Sequence, residues 1–278
     1  MTNIDPQIEL WNGNSGERWV RYRDETDLAF GVLSASAMVR LNAQTGERVI
    51  DVGCGAGTTL LEIAKAVGPA GHVVGIDACD KLARCAQLRT AHIPQVQVLC
   101  GDATQVELPP SYDALFSRFG MMFFASPITA FRNLRNGLRP GGRLVFTVWQ
   151  AANKNGWHAD LMSVVLPHVS ETPAPSPPRA PGTFAMSERL YLEEILSASG
   201  FRDTLIEDVR EPVQMGSGGV AAAVEFALHV GPAASLTEKQ TPETQQAIRA
   251  GLTEFFSGVA CGENISLPGA AWLVSAVA

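Results

Sequence analysis

Val49-Ile50-Asp51-Val52-Gly53-Cys54-Gly55-Ala56-Gly57-Thr58 is the stretch that decides the fold. An apolar run enters three alternating glycines and then an amphipathic segment, which reads as a strand, a tight turn and a helix start. Glycine suits that turn because a Cβ would keep a ligand off the backbone and would strain left-handed dihedrals. Outward from it, apolar runs at Arg48–Val52, His72–Ile76, Val96–Cys100, Ala114–Ser117 and Arg143–Trp149 alternate with helix-like segments near 57–67, 79–91 and 127–138. Continuous apolar strands separated by helices predict an α/β fold with a parallel sheet covered on both faces. Pro140-Gly141-Gly142 reads as the turn that ends the third of those helices.

Residues 1–45 read as helical, with Trp11, Trp19 and Tyr22 among charges. The prolines Pro167, Pro173, Pro175, Pro177, Pro178 and Pro181 make 167–182 a loop. A helix over Ser187–Ser199 stops at Gly200, a strand follows over Phe201–Val209, two helices fill 219–258, and Ala270–Val277 closes the chain as a strand. The expected organisation is an N-terminal helical lid (1–45), a ligand-binding core (46–150), and a cap with sheet-completing strands (151–278).

Apolar residues form 46% of the 278-residue chain and charged residues 18%, enough for a packed core. A formal charge of −7 without a dense basic run argues against a nucleic-acid partner. The five cysteines form no CxxC pair, and no zinc-site spacing or hard-cation cluster is visible, so no metal is expected. The start MTNIDPQIEL lacks a signal-peptide layout, and the apolar stretch 219–231 is too short to span a bilayer. A cytoplasmic location without a membrane span is the resulting expectation.

Two acids narrow the ligand. Asp77 ends the second strand, where its carboxylate can accept from two ribose hydroxyls or simply cap the next helix. Asp102, after the third strand, can accept from the exocyclic amine of an adenine or remain a loop carboxylate. A nicotinamide enzyme fits poorly: Thr58 stands where its third glycine would be, and no tyrosine has a lysine four residues on.

The succession DVGCGAG, GID, GDA and PGGRLVFTVW over residues 47–150 resembles the motif series of class I S-adenosylmethionine (SAM)-dependent methyltransferases. WNGNSGERWV and SRFGMMFF resemble a bacterial small-molecule subgroup, and overall likeness extends to indole C3-methyltransferases. The resemblance implies a doubly wound, seven-stranded Rossmann-like sheet with an N-terminal helical lid and a cap inserted after the fifth strand. It also implies SAM as cofactor, held by Asp51, Gly53, Cys54 and Gly55 beside the methionyl and ribose portion. Asp77 would hold the ribose, Asp102 and the Ala103 amide would read adenine, and Leu82 would pack on the ring. Ser117 and Arg118 would stand where cofactor and acceptor meet, Arg118 forming either a surface ion pair or a contact to the cofactor carboxylate. The N-terminal helix with Trp11, Trp19 and Tyr22 would either fold over the cofactor as a lid or simply dock on the sheet.

A small aromatic or heteroaromatic acceptor would then lie among Tyr22, Phe119, Met122, Trp149, Trp157 and Phe184, with His158 as the base if a proton must leave. Trp157 and Phe184 lie in stretches that read as loop. A quinone or sterol ring methyltransferase and a non-catalytic SAM-binding protein are the competing readings. Neither the acceptor nor an oligomeric state follows from these motifs.

Overall fold

A computed structural model describes residues 6–170, 174 and 176–278. Among these, strands β1 (Arg48–Val52), β2 (His72–Asp77), β3 (Val96–Cys100), β4 (Tyr112–Arg118), β5 (Leu138–Trp149), β6 (Arg202–Ser217) and β7 (Asn264–Val277) form one seven-stranded sheet. Its order is β3-β2-β1-β4-β5-β7-β6. Pairing is parallel from β3 through β5, and β7 runs antiparallel to both β5 and β6.

The apolar runs alternate between two cores. Ile50, Leu115 and Phe146 face one buried cluster, while Val49, Phe116 and Val145 face the other. A period of two with both faces covered is why these strands read as continuous apolar runs. Helix α4 (Thr58–Val67) buries Leu60, Ile63, Ala64 and Val67 at helical spacing. It shares its cluster with Ala37 and Leu41 of α3 (Arg23–Leu41) and Ala86 of α5 (Asp80–Thr90). On the opposite face α6 (Pro127–Gly137) contributes Phe131 and Leu134, and α8 (Arg189–Ala198) contributes Ile195 and Leu196. The sheet is therefore doubly wound.

Ahead of α3 run α1 (Pro6–Leu10), a turn at Trp11–Ser15 where Gly13 leaves helical geometry (φ −82°, ψ −150°), and α2 (Gly16–Arg21). Residues 1–5 of the expected lid, and Pro173 and Pro175 of the proline-rich stretch, lie outside the described residues.

The cap comes from two insertions rather than one. Helix α7 (Gly156–Val165) and the proline-rich loop lie between β5 and β6, while α9 (Gly219–His229), α10 (Pro232–Thr237) and α11 (Pro242–Val259) lie between β6 and β7. Segment 219–258 thus holds three helices where two were expected, since Pro232 and Pro242 start α10 and α11 rather than merely linking helices. Trp157 stands in α7, not in a loop. Strands β6 and β7 run past the expected Phe201–Val209 and Ala270–Val277 because each is the other's partner, and Pro212 is tolerated because β6 is an edge strand. Helix α6 ends at Gly137, before the Pro140-Gly141-Gly142 turn expected to stop it.

Candidate functional site

The carboxyl ends of β1, β2 and β4 meet at the sheet's switch point, the place where doubly wound folds hold ligands. A cavity of about 340 Å³ opens there. Gly53 (φ +67°) packs so tightly that a Cβ on it would lie 2.7 Å from the Gly120 Cα. Gly55 (φ +55°) differs: no atom stands within 4 Å of where its Cβ would be, so the backbone lies bare to the cavity.

Asp77 is buried, and its carboxylate accepts from the Gly55 amide at 2.8 Å and the Cys79 amide at 2.9 Å. Burial pushes its pKa up, and those two N–H donors pull it back. A carboxylate has about four acceptor sites, so capacity toward the cavity remains. It does not cap α5 as an N-cap residue; that position is Cys79. Asp102 lines the same cavity and accepts from the Thr104 amide at 2.8 Å and the Thr104 hydroxyl at 2.6 Å, which fixes its orientation. Cys54, Leu82 and Ala103 also line it.

Three expected site residues do not reach either cavity. Asp51 is fully buried beneath the loop, where its carboxylate accepts from the Thr59 hydroxyl at 2.5 Å while its other oxygen has no partner. Burial pushes its pKa up to about 7, and its hydrogen-bond partner Thr59 lines the cavity. The buried Ser117 hydroxyl donates to the Val52 carbonyl at 2.7 Å, tying β4 to β1. Tyr22 stacks on His229 at 5.0 Å, behind the walls.

A second, outer cavity, of about 580 Å³, adjoins this first, inner one. Met122, Trp149, Trp157, His158 and Phe184 line it, together with Met215 of β6 and Phe226 of α9 in the cap. The two cavities share a wall made by Trp11, Trp19, Phe30, Phe119 and Phe123. Trp11 meets Trp19 at 5.4 Å and Phe123 at 5.1 Å, Phe30 meets Phe119 at 5.3 Å, and Phe119 stacks on Trp149 at 4.2 Å. Phe119 has φ +60°, a conformation costing a bulky residue on the order of 1–3 kcal/mol. The Gly120–Gly53 contact and the stack on Trp149 hold it there.

Trp157 is fixed from behind. Its indole N–H donates to the buried Asn155 amide oxygen at 3.0 Å, which also accepts from the Ala270 amide at 2.8 Å. His158 contacts Phe184 at 4.8 Å, and burial pushes its pKa down, which favours the neutral ring.

The N-terminal segment straps across both cavities. The Asn12 side chain donates to the Ala78 carbonyl at 3.0 Å and accepts from the Asp80 amide at 2.9 Å, and the Cys79 thiol donates to the Trp11 carbonyl at 3.1 Å. On the cap side, Arg18 and Asn14 reach Glu238 at 2.7 and 2.9 Å. Asp27, Phe30 and Asn12 escaped the sequence reading, although Arg23, Asp27 and Phe30 recur at helical spacing and all line the inner cavity. Arg118 pairs with Asp27 at 2.9 Å in the inner cavity wall, not at the open surface. No cluster of three metal-ligating side chains occurs among the described residues, and none of their helices is long and apolar enough to cross a membrane.

The topology is that of a doubly wound, Rossmann-like α/β sheet with a glycine–acid cradle at its switch point. Residues 49–142 match the methyltransferase-domain family. The chain is 42% identical over 106 residues to an uncharacterized protein of transposon TN4556 from Streptomyces fradiae, covering 38% of this chain and 31% of that protein. It is 32% identical over 111 residues to a demethylmenaquinone methyltransferase from Staphylococcus aureus, covering 39% and 45%. The chain thus spans less than half the length of these curated relatives. A phosphoethanolamine N-methyltransferase 2 from Haemonchus contortus, solved with phosphomonomethylethanolamine and S-adenosylhomocysteine, superimposes with a TM-score of 0.60 at 16% identity, over 100% of this chain and 60% of that one. That likeness is one of fold.

Proposed function

We propose that the chain is a SAM-dependent methyltransferase acting on a small aromatic or heteroaromatic acceptor. The observation that carries this reading is the pair of adjoining cavities with one aromatic wall, the inner edged by Asp77, Asp102 and a bare Gly55, the outer lined by Met122, Trp149, Trp157 and Phe184 among others. SAM, when bound, supplies a methyl group already activated on a sulfonium sulfur.

The protein's own residues do the rest. Asp77 accepts from the ribose hydroxyls, Asp102 and the Ala103 amide read the adenine edge, and Leu82 packs on its face. The shared aromatic wall excludes water and favours a cation beside it, by on the order of 1–2 kcal/mol. Alignment of two reactants across that wall can supply roughly 7–11 kcal/mol of barrier reduction. His158 takes a proton where the acceptor must lose one. The charge of −7 fits a small-molecule acceptor better than nucleic acid.

Within this class, a planar bicyclic ring such as an indole suits the aromatic lining of the outer cavity, and carbon methylation of such a ring needs no strong base. A quinone ring is the second reading, favoured by the similarity to the demethylmenaquinone enzyme. The test is a screen of indoles, phenols, quinones and amines with SAM, read by mass gain of one methyl and by S-adenosylhomocysteine release. Turnover of a planar aromatic member supports the proposal. Binding of the nucleoside with no turnover of any acceptor would favour a non-catalytic SAM-binding protein.

A further inference from the structure

The outer cavity has more room than one ring needs. At about 580 Å³ it exceeds the inner cavity, about 340 Å³, in which the whole nucleoside would lie. A cavity of about 150 Å³ holds a benzene ring, so a lone bicyclic ring would leave roughly half or more of the outer cavity to water. Water against the apolar side chains there is the unfavourable state, and a ligand group that covers them gains affinity.

The lining falls into two sets of different origin. One is a chain of rings: Trp149 meets Trp157 at 4.8 Å, and Trp157 stacks on Phe184 at 5.9 Å. It comes from the end of β5, from α7 and from the loop before α8. The other set belongs to the cap side, with Val213 and Met215 on β6 and Phe226 and His229 on α9. Phe226 and His229 are three residues apart, so one face of α9 brings both to the cavity.

His229 is held in one orientation. Its Nδ1 lies 2.8 Å from the Glu225 carbonyl oxygen, which can only accept, so Nδ1 carries the proton and Nε2 of the neutral ring is left as an acceptor. The ring stacks on Tyr22 at 5.0 Å, and the Glu225 side chain is tied in turn by Arg249. The cap thus offers apolar surface beside a hydrogen-bond acceptor, the complement of an apolar group that carries an N–H or O–H.

We propose that the acceptor is a two-part molecule: a flat aromatic ring on the Trp149–Trp157–Phe184 side, joined by a short arm to a second group that packs on Phe226 and donates an N–H or O–H to His229. The assignment deepens the reading of the outer cavity as the acceptor site and rests on it. The ring set places the atom that is methylated, and the cap set selects which ring-bearing molecule is held. A bare ring, or a ring on a purely hydrocarbon tail, leaves the His229 acceptor without a partner.

Calorimetry of the full chain with S-adenosylhomocysteine present tests this, with 3-methylindole and N-acetyltryptamine as probes. The two share a ring, and the second adds an arm that carries an amide N–H. Wild type should bind N-acetyltryptamine about tenfold or more tighter than 3-methylindole, from the added apolar contact and hydrogen bond. Phe226→Ala and His229→Phe should each cut that ratio to about threefold or less. His229→Phe keeps a ring against Tyr22, so it removes the acceptor atom alone, and it decides the matter even where Phe226→Ala fails to fold. A wild-type ratio near one, or a ratio that His229→Phe leaves intact, would overturn the assignment. Binding of S-adenosylhomocysteine with neither indole bound is a separate result, which would remove the aromatic-acceptor reading itself and the proposal with it.

Discussion

Replacing Asp77 by asparagine separates the two tasks this carboxylate performs. Within the protein it accepts from the Gly55 and Cys79 amides, holding the glycine turn against the end of β2. Toward the cavity its remaining acceptor sites are to meet two ribose hydroxyls. An Asn side chain keeps the shape and one carbonyl acceptor but offers an N–H where an oxygen stood. One backbone amide then loses its acceptor, at about 1–3 kcal/mol, while the desolvation that raises the Asp77 pKa is relieved and offsets part of that. Stability should therefore change by no more than about 1–2 kcal/mol. Ligand affinity has no such compensation: hydrogen bonds to a charged group are worth about 1.5–3 kcal/mol, so the dissociation constant for S-adenosylhomocysteine should rise about 10- to 150-fold. Calorimetry gives the affinity, and thermal unfolding of the free proteins gives the stability. If Asp77→Asn bound the nucleoside as wild type does while unfolding at the same temperature, the ribose assignment would be refuted.

Burial raises the Asp51 pKa from 3.8 to about 7, so the folded chain holds that proton more tightly than the unfolded one. Stability should therefore fall as pH rises from about 4 to 7 and level off above, by up to about 4 kcal/mol, and Asp51→Asn should flatten that limb in denaturant titrations run across pH. Asn155→Ala strands the Trp157 and Ala270 N–H groups and should cost about 2–4 kcal/mol in equilibrium unfolding, with a change in tryptophan fluorescence. His158→Gln should lower kcat by about 10²–10⁴-fold for an acceptor that must lose a proton and abolish the acidic limb of its pH–rate profile. An acceptor with no proton to lose before transfer should be far less affected, which a side-by-side kcat comparison would check. Asn12→Ala removes the two hydrogen bonds that this side chain makes from the strap to Ala78 and Asp80 and should raise the KM for SAM more than it lowers kcat, as initial-rate kinetics would reveal.

The inner cavity was legible because backbone needs write themselves into sequence. Gly53 must be glycine to meet Gly120, Gly55 must leave its backbone bare, and Asp77 and Asp102 sit at strand ends fixed by the same periodicity that reveals the strands. Asp51 of DVGCGAG and Ser117 at the end of the fourth strand were also expected at the site, yet the alternation of strand side chains turns both away from the cavity and into the protein. The outer cavity was less legible. Its wall comes from distant pieces: Trp19 and Phe30 from the N-terminal helices, Phe119 and Trp149 from two strand ends, Phe226 from the cap. Long-range packing of that kind leaves no local spacing to read. Helix α7 was hidden for a related reason, since Asn155 spends its side chain on Trp157 and Ala270 instead of on capping the helix it precedes. The prolines at 232 and 242 misled in the opposite direction, being helix starts that resemble breaks.

Crystals of the full chain grown with S-adenosylhomocysteine address the central claim most directly. The adenine should lie between Leu82 and Asp102, the ribose hydroxyls on Asp77, and the sulfur against the Phe119–Trp11 wall facing the outer cavity. Density for the nucleoside in the outer cavity, or at any site away from the exit of β1, would contradict the account.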